Sequence, residues 1–100
     1  MSTAHRMNIE QIKRNTKDAL ERLYISLIDQ YYEEIGDQIK ERSAHGFNFL
    51  TFEFINNNEY PDELVVKVVD QLVKILRADG FDTSDRQYCG AVIYINISWQ

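Results

Sequence analysis

The chain has 100 residues, of which 44% are hydrophobic and 27% are charged, and its formal net charge is −5. This balance is typical of a folded globular chain, so residues 1–100 are predicted to form a single domain. Lys13, Arg14 and Lys17 form a weak basic cluster, but Asp18 and Glu21 follow it at once. The negative charge therefore excludes binding to nucleic acid or to a membrane by electrostatic attraction to their phosphates.

The number of cysteines and the length of the apolar runs indicate in which cellular compartment the chain is expected. Cys89 is the one cysteine, so neither a disulfide within the chain nor a zinc site built on several thiolates can form. The sequence shows neither a signal peptide nor a run of about 18 apolar residues. We therefore expect a cytoplasmic location.

A long helix is the first predicted element. Asn8 followed by Gln11 is typical of a helix N-terminus, and His45-Gly46 is typical of a helix end. Between them, apolar residues recur at helical spacing: Ile9, Ile12, Leu20, Leu23, Leu27, Tyr31, Ile35 and Ile39. A single helix over residues 8–45 would be about 55 Å long, which exceeds the diameter of a domain of this size.

Two arrangements resolve this excess length: the helix breaks, or its first turns project toward a partner. Asn15 begins a segment that could cap a second start, and Gly36 offers another break. We predict a short segment over 8–14 followed by a main helix over about 16–44, with a kink at Gly36 as an alternative. Residues 1–14 then form a frayed or projecting N-terminal segment.

Residues 47–55 are rich in aromatic side chains and predict a strand. The alternation changes phase, because Phe47 and Phe49 share one face. The other apolar residues share the opposite face: Leu50, Phe52 and Phe54. A β-bulge near Phe49 would bring both groups inward. Alternatively, both faces are covered, or one face is left to bind another molecule.

A second helix and a strand pair complete the prediction. Pro61 suits the first turn of the helix, and Gly80 suits its end. The helix carries a continuous apolar stripe: Leu64, Val65, Val68, Val69, Leu72, Val73, Ile75 and Leu76. Residues 81–85 predict a weak strand, residues 87–90 a connection, and the strict alternation over 91–99 a strong strand with one buried face.

The fold class is therefore α+β, with the element order α-β-α-β-β. The sheet is predicted to be three-stranded and mainly antiparallel, with the C-terminal strand in the centre and two helices packed on one face. The charged weaker strand suits an edge position.

Few residues suggest catalysis. His45 lies at a helix end, where an imidazole serves the helix terminus, and Cys89 has no histidine or basic pair near it in sequence. Asp79, Asp82 and Asp85 resemble a calcium loop in spacing but lack its glycine and bidentate glutamate. We therefore predict no enzyme activity, no cofactor and no metal site.

Aromatic and acidic residues occupy more than one face of the long helix. The aromatic and apolar surface around residues 23–35 is wider than the stripe that packing on one side needs. They form the candidate protein interface: Tyr24, Ile28, Tyr31, Tyr32, Glu33, Glu34 and Asp37. Two interpretations are open. The helix lies in a groove between the sheet and the second helix, with the tyrosine hydroxyls reaching water, or the tyrosines contact another protein.

The order of elements over residues 35–99 resembles that of many small accessory proteins of tailed bacteriophages and large DNA viruses. The resemblance is carried by Leu76-x-x-x-Gly80-Phe81 and by the ending Ile93-x-Ile95-x-Ile97-Ser98-Trp99. That group shares no active site, so no functional residue is implied. The resemblance implies a virus-encoded accessory protein that acts in the host cytoplasm by occupying a host or defence protein, or a minor virion component.

The leading hypothesis is accordingly a non-enzymatic protein that binds another protein, such as a basic or nucleic-acid-binding host protein. The alternative is a structural or assembly role, with self-association as a homodimer through the long helix.

Overall fold

A computed structural model describes residues 8–99. The elements are α1 (Ile9–Ala44), β1 (Phe49–Phe54), α2 (Asp62–Ala78), β2 (Asp82–Thr83), β3 (Gln87–Cys89) and β4 (Val92–Ser98). The strands form one antiparallel sheet in which β4 is central, with β1 on one side and both β2 and β3 on the other. The predicted α+β class and the central C-terminal strand are confirmed.

Helix α1 is continuous over 36 residues, so the predicted break between a short segment and a main helix is wrong. Asn8 caps its start by accepting hydrogen bonds from the backbone of Glu10 and Gln11 at 3.0 and 3.2 Å. Thr16 does not cap a second start, because its hydroxyl donates to the carbonyl of Ile12 within the same helix (3.0 Å). Gly36 lies inside the helix and does not end it.

The helix projects instead. Every residue over 9–18 is exposed, and this segment, called the projecting end below, is about 15 Å long at 1.5 Å per residue. The radius of gyration is 17.9 Å, compared with about 13 Å for a compact chain of this length. Residues 1–7, which include His5 and the rest of the predicted frayed or projecting segment, lie outside the described residues.

The C-terminal end of α1 follows the prediction. Gly46 takes a φ of +87°, which glycine adopts without strain. Its N–H donates to the carbonyl of Ser43 at 3.1 Å, and the N–H of Phe47 donates to the carbonyl of Arg42 at 3.0 Å. These two bonds form the Schellman motif, which turns the chain back toward β1.

Strand β1 pairs with β4 in an uninterrupted one-to-one register, from Phe49 opposite Ser98 to Phe54 opposite Ile93. The β-bulge that would have brought all the aromatic residues inward is therefore absent from this pairing. Phe47 and Phe49 remain about half exposed. The opposite face of β1 is buried: Leu50, Phe52 and Phe54.

The strand predicted over 81–85 is shortened to β2, and residues 87–89 form the additional strand β3, so the sheet has four strands rather than three. β2 pairs with the end of β4 and β3 pairs with its beginning. Between them, Ser84 still bonds to Asn96 of β4, and Asp85 pairs with Arg77 and Arg86 with Asp70, both on α2. The prediction of a connection over residues 87–89 is therefore wrong.

The core lies between the sheet and the two helices, which pack on one face as predicted. Helix α2 contributes most of it, with seven buried residues: Leu64, Val65, Val68, Val69, Leu72, Val73 and Leu76. The inward residues of β4 are also buried: Ile93, Ile95 and Ile97. Helix α1 contributes Leu27 and Ile35. Only the middle and later part of α1 is therefore needed to complete the core.

Candidate protein-interaction surfaces

The projecting end carries exposed isoleucines. Ile9 is 62% exposed and Ile12 is 41% exposed. Their spacing places them on the helix stripe that continues through Leu20, Leu23 and Leu27, and those leucines pack against or within the core. The apolar stripe of α1 thus extends beyond the part of the helix that α2 and the sheet cover.

A groove lies beside this stripe, between the first half of α1 and the start of α2. Its volume is about 770 Å³. Apolar groups from both helices line it, including Leu20 and Tyr24 of α1 and Leu64 of α2. Ile25 and Pro61 add further apolar surface, and the remaining lining residues are polar or charged: Lys13, Thr16, Lys17, Glu21, Glu63 and Lys67. This surface is called the helix groove below, and Lys13, Thr16 and Lys17 of the projecting end form part of its lining.

The second half of α1 carries an acidic ridge. Asp29, Glu33, Asp37 and Glu41 follow one another every four residues, about 6 Å apart along the axis, and all four are exposed. Within residues 8–99, the ion pairs are Arg77–Asp85 and Arg86–Asp70, so no ridge carboxylate is neutralised by a salt bridge there. The ridge is therefore a row of negative charge with Lys40 as its basic neighbour on the helix.

The candidate interface predicted from the sequence divides into packed and exposed residues. Tyr24, Ile28 and Tyr31 are partly buried and pack against the core. The Tyr31 ring lies edge-on to Phe54 and Phe52, with centroid distances of 5.1 and 6.1 Å. Burial, followed by the negative charge of Glu34, raises the pKa of Tyr31. For these three residues the structure agrees with the groove interpretation.

The other four candidates lie at the surface: Tyr32, Glu33, Glu34 and Asp37. Tyr32 is 41% exposed, and its hydroxyl donates a hydrogen bond to the carboxylate of Asp79, just after α2. That hydrogen bond is the main cause that raises the pKa of Tyr32. Tyr32 therefore links the two helices at the surface, beside the acidic ridge.

The residues considered for catalysis or metal binding are not brought together. His45 lies at the end of α1, where its Nδ1 is 2.8 Å from the carbonyl oxygen of Glu41. Cys89 is exposed at the end of β3 and is not in a disulfide. Asp79 accepts from Tyr32 and Asp85 pairs with Arg77, so the predicted resemblance to a calcium loop has no counterpart in geometry. Residues 8–99 contain no group of three histidine, cysteine or carboxylate ligands that could hold a metal.

Sequence reasoning missed two features of these surfaces. The acidic ridge extends beyond Glu33 and Asp37 to Asp29 and Glu41, and a search for like charges at four-residue spacing would have found it. The helix groove had no sequence signal, because it depends on where α2 begins relative to α1. No helix within residues 8–99 is long and apolar enough to cross a membrane.

The fold and these surfaces define an α+β protein with an overlong, charged first helix. Comparison of the chain with models of protein families, with curated proteins and with solved structures finds no match.

Proposed function

We propose that this chain is a non-enzymatic protein-interaction module that binds a basic surface of another protein through the acidic ridge of α1. The ridge is the observation that supports this proposal. Like charges four residues apart destabilise a helix by roughly 0.2–0.5 kcal/mol for each pair, and the ridge contains three such pairs in succession. Folding gains nothing from this arrangement, whereas a basic partner would be attracted by it.

The surroundings of the ridge suit a protein contact. Tyr32 lies beside Glu33, is partly exposed and is held in place by its hydrogen bond to Asp79. Tyrosine supplies a large contact area at a small entropic cost and is enriched in protein interfaces. The partner surface would combine arginine or lysine side chains with an apolar contact for the Tyr32 ring.

The biological setting belongs to the same proposal. The resemblance of residues 35–99 to small phage and viral accessory proteins supports a virus-encoded protein of the host cytoplasm. Its target would be a host or defence protein with a basic surface, such as one that binds nucleic acid. An acidic helix can compete with nucleic acid for such a surface because both present rows of negative charge.

Capture from host lysate tests the proposal. The tagged chain is compared with a ridge variant, Glu33→Lys with Asp37→Lys, and with a control variant, Glu53→Lys with Glu59→Lys. Both variants change the net charge equally, and all four carboxylates are exposed. We expect the ridge variant to lose the partner and the control to retain it.

The complex should also dissociate as the salt concentration rises, because salt screens exposed charges. Equal capture by both variants contradicts the role of the ridge. Equal loss by both variants would show that only the net charge matters.

A further inference from the structure

The projecting end of α1 exposes apolar surface that the folded chain does not use. Ile9 and Ile12 lie on a ten-residue segment in which every residue is exposed. Ile9 and Ile12 continue the apolar stripe that packs in the core further along α1, and a second helix packed beside the segment would bury them.

The helix groove is the neighbouring surface that is also incomplete. Its apolar wall includes Leu20, Tyr24 and Leu64, and its volume of about 770 Å³ has room for several side chains. A helix that fills it needs apolar residues at three- to four-residue spacing. The projecting end, with Ile9 and Ile12, is a segment of this kind.

The charges around the groove favour one direction for a second copy of the chain. Lys13, Arg14 and Lys17 lie on the projecting end, where Lys13 and Lys17 also line the groove, whereas Glu21, Glu63 and Lys67 line it further along. An antiparallel second copy brings its own Lys13 toward Glu21 and Glu63. A parallel copy in register would place like charges side by side, which is unfavourable. The charge pattern therefore selects the antiparallel arrangement.

Thr16 suits the centre of such a contact. It is a small residue of the groove wall, midway between Ile12 and Leu20. Its hydroxyl already donates to the carbonyl oxygen of Ile12 at 3.0 Å. The hydroxyl can therefore be buried without losing its hydrogen bond, and the small side chain lets two helices approach closely.

We propose that two copies of this chain associate antiparallel about a two-fold axis near Thr16, with each projecting end packed in the helix groove of the other copy. The contact is isologous, so it closes as a dimer and leaves no free complementary surface. It uses the first half of α1 and the start of α2. The acidic ridge, in the second half of α1, remains free in the dimer.

Sedimentation equilibrium of the full chain over a range of concentrations tests the association. We expect a species of twice the 11.8 kDa chain mass. Ile9→Asp and Ile12→Asp should each raise the dimer dissociation constant about tenfold or more, since each removes a buried apolar contact. Ile55→Asp is the matched control, because Ile55 is 61% exposed and Ile9 is 62% exposed.

Charge reversal tests the predicted pairing. Lys13→Glu alone and Glu21→Lys alone should each weaken self-association, since each places like charges together twice in the dimer. An equal mixture of the two variants should associate again, because every Lys13–Glu21 contact then joins opposite charges. Both residues are exposed on α1, so thermal melts of the variants should match that of the parent chain at concentrations where all of them are monomeric.

Cross-linking tests the direction of the helices. In a Cys89→Ser background, Thr16→Cys should form a disulfide-linked dimer on mild oxidation, whereas Ile9→Cys should not, because antiparallel helices separate the two copies of residue 9. A chain that remains monomeric at high concentration overturns the proposal. So does an Ile12→Asp variant that dimerises normally, or efficient cross-linking by Ile9→Cys. None of these results bears on binding through the acidic ridge.

Discussion

Arg42 and Phe49 are joined by two contacts. The Nε of Arg42 donates a hydrogen bond of 2.7 Å to the carbonyl oxygen of Phe49, and the guanidinium carbon lies 4.8 Å from the centre of the Phe49 ring. The N–H of Trp99 bonds to the carbonyl of Asn48 at 2.9 Å, so the next carbonyl along β1, that of Phe49, points away from β4. Arg42 thus ties the end of α1 to the open edge of the sheet and covers part of that edge.

We expect Arg42→Ala to lower the free energy of unfolding by about 1–2 kcal/mol, the sum of a hydrogen bond to a charged donor and a partly exposed cation–π contact. Arg42→Lys should recover only part of the loss, because lysine lacks the planar group that makes both contacts. Urea denaturation measures the effect. Lys40→Ala, a change at an exposed position two residues earlier, is the control and should be nearly neutral.

The two neighbouring tyrosines of α1 should respond differently to truncation. Tyr31→Ala removes edge-on contacts with Phe52 and Phe54 and is expected to cost about 2 kcal/mol of stability. Tyr32→Ala removes a surface hydrogen bond and should cost less than about 1 kcal/mol. Denaturant midpoints of both variants measure the difference. Equal costs would show that Tyr32 is as important to the core as Tyr31.

The Tyr32–Asp79 hydrogen bond predicts a pH dependence. The bond needs the protonated phenol, and it raises the pKa of Tyr32 above the ordinary value of 10.0. Its contribution to stability is therefore complete below pH 10 and is lost as the pH rises through the pKa of the folded state. The parent chain should be more stable than Tyr32→Phe at pH 8, and this difference should shrink above pH 10. Unfolding free energies across this range check the sign; a constant difference contradicts it.

Two glycines in different backbone conformations form a matched pair. Gly36 lies inside α1, and a Cβ added there would have no atom within 4 Å, so Gly36→Ala should raise stability by about 0.5–1 kcal/mol. Gly80 ends α2 with a φ of +103°, so Gly80→Ala should lower stability by about 1 kcal/mol or more, although space is free there too. Thermal melts measure both changes. A destabilising Gly36→Ala would show that the helix needs flexibility at that point.

Local chemistry was enough to predict the elements that it controls. The Asn8 cap, the Gly46 and Gly80 helix ends, the apolar stripe of α2 and the alternation of β4 all depend on residues close together in the chain. A valine-rich helix and a strictly alternating strand can bury their apolar side chains in only one way. The α+β class and the central position of β4 followed from these patterns. The sequence also showed that part of α1 is rich in tyrosine, but it did not predict that Tyr31 packs against the core while Tyr32 is exposed.

The remaining features needed the tertiary structure. The apolar periodicity of residues 9–39 already predicted an α1 longer than a compact domain of 100 residues, and either a break or a projection could accommodate that length. The tertiary packing shows that the helix projects. From α1, the core needs only Leu27, Ile35 and their partly buried neighbours, and nothing in the first turns forces a bend. Likewise, the sequence did not predict that Asp85 and Arg86 pair with α2 or that residues 87–89 form a strand, since contacts between different elements leave no local pattern. The length of α1 therefore follows from local sequence patterns. Which of its residues are exposed depends on the tertiary structure, because α2 and the sheet cover one part of the helix and leave the rest in solvent. That is why the exposed isoleucines, the helix groove and the acidic ridge could be located only in the folded chain.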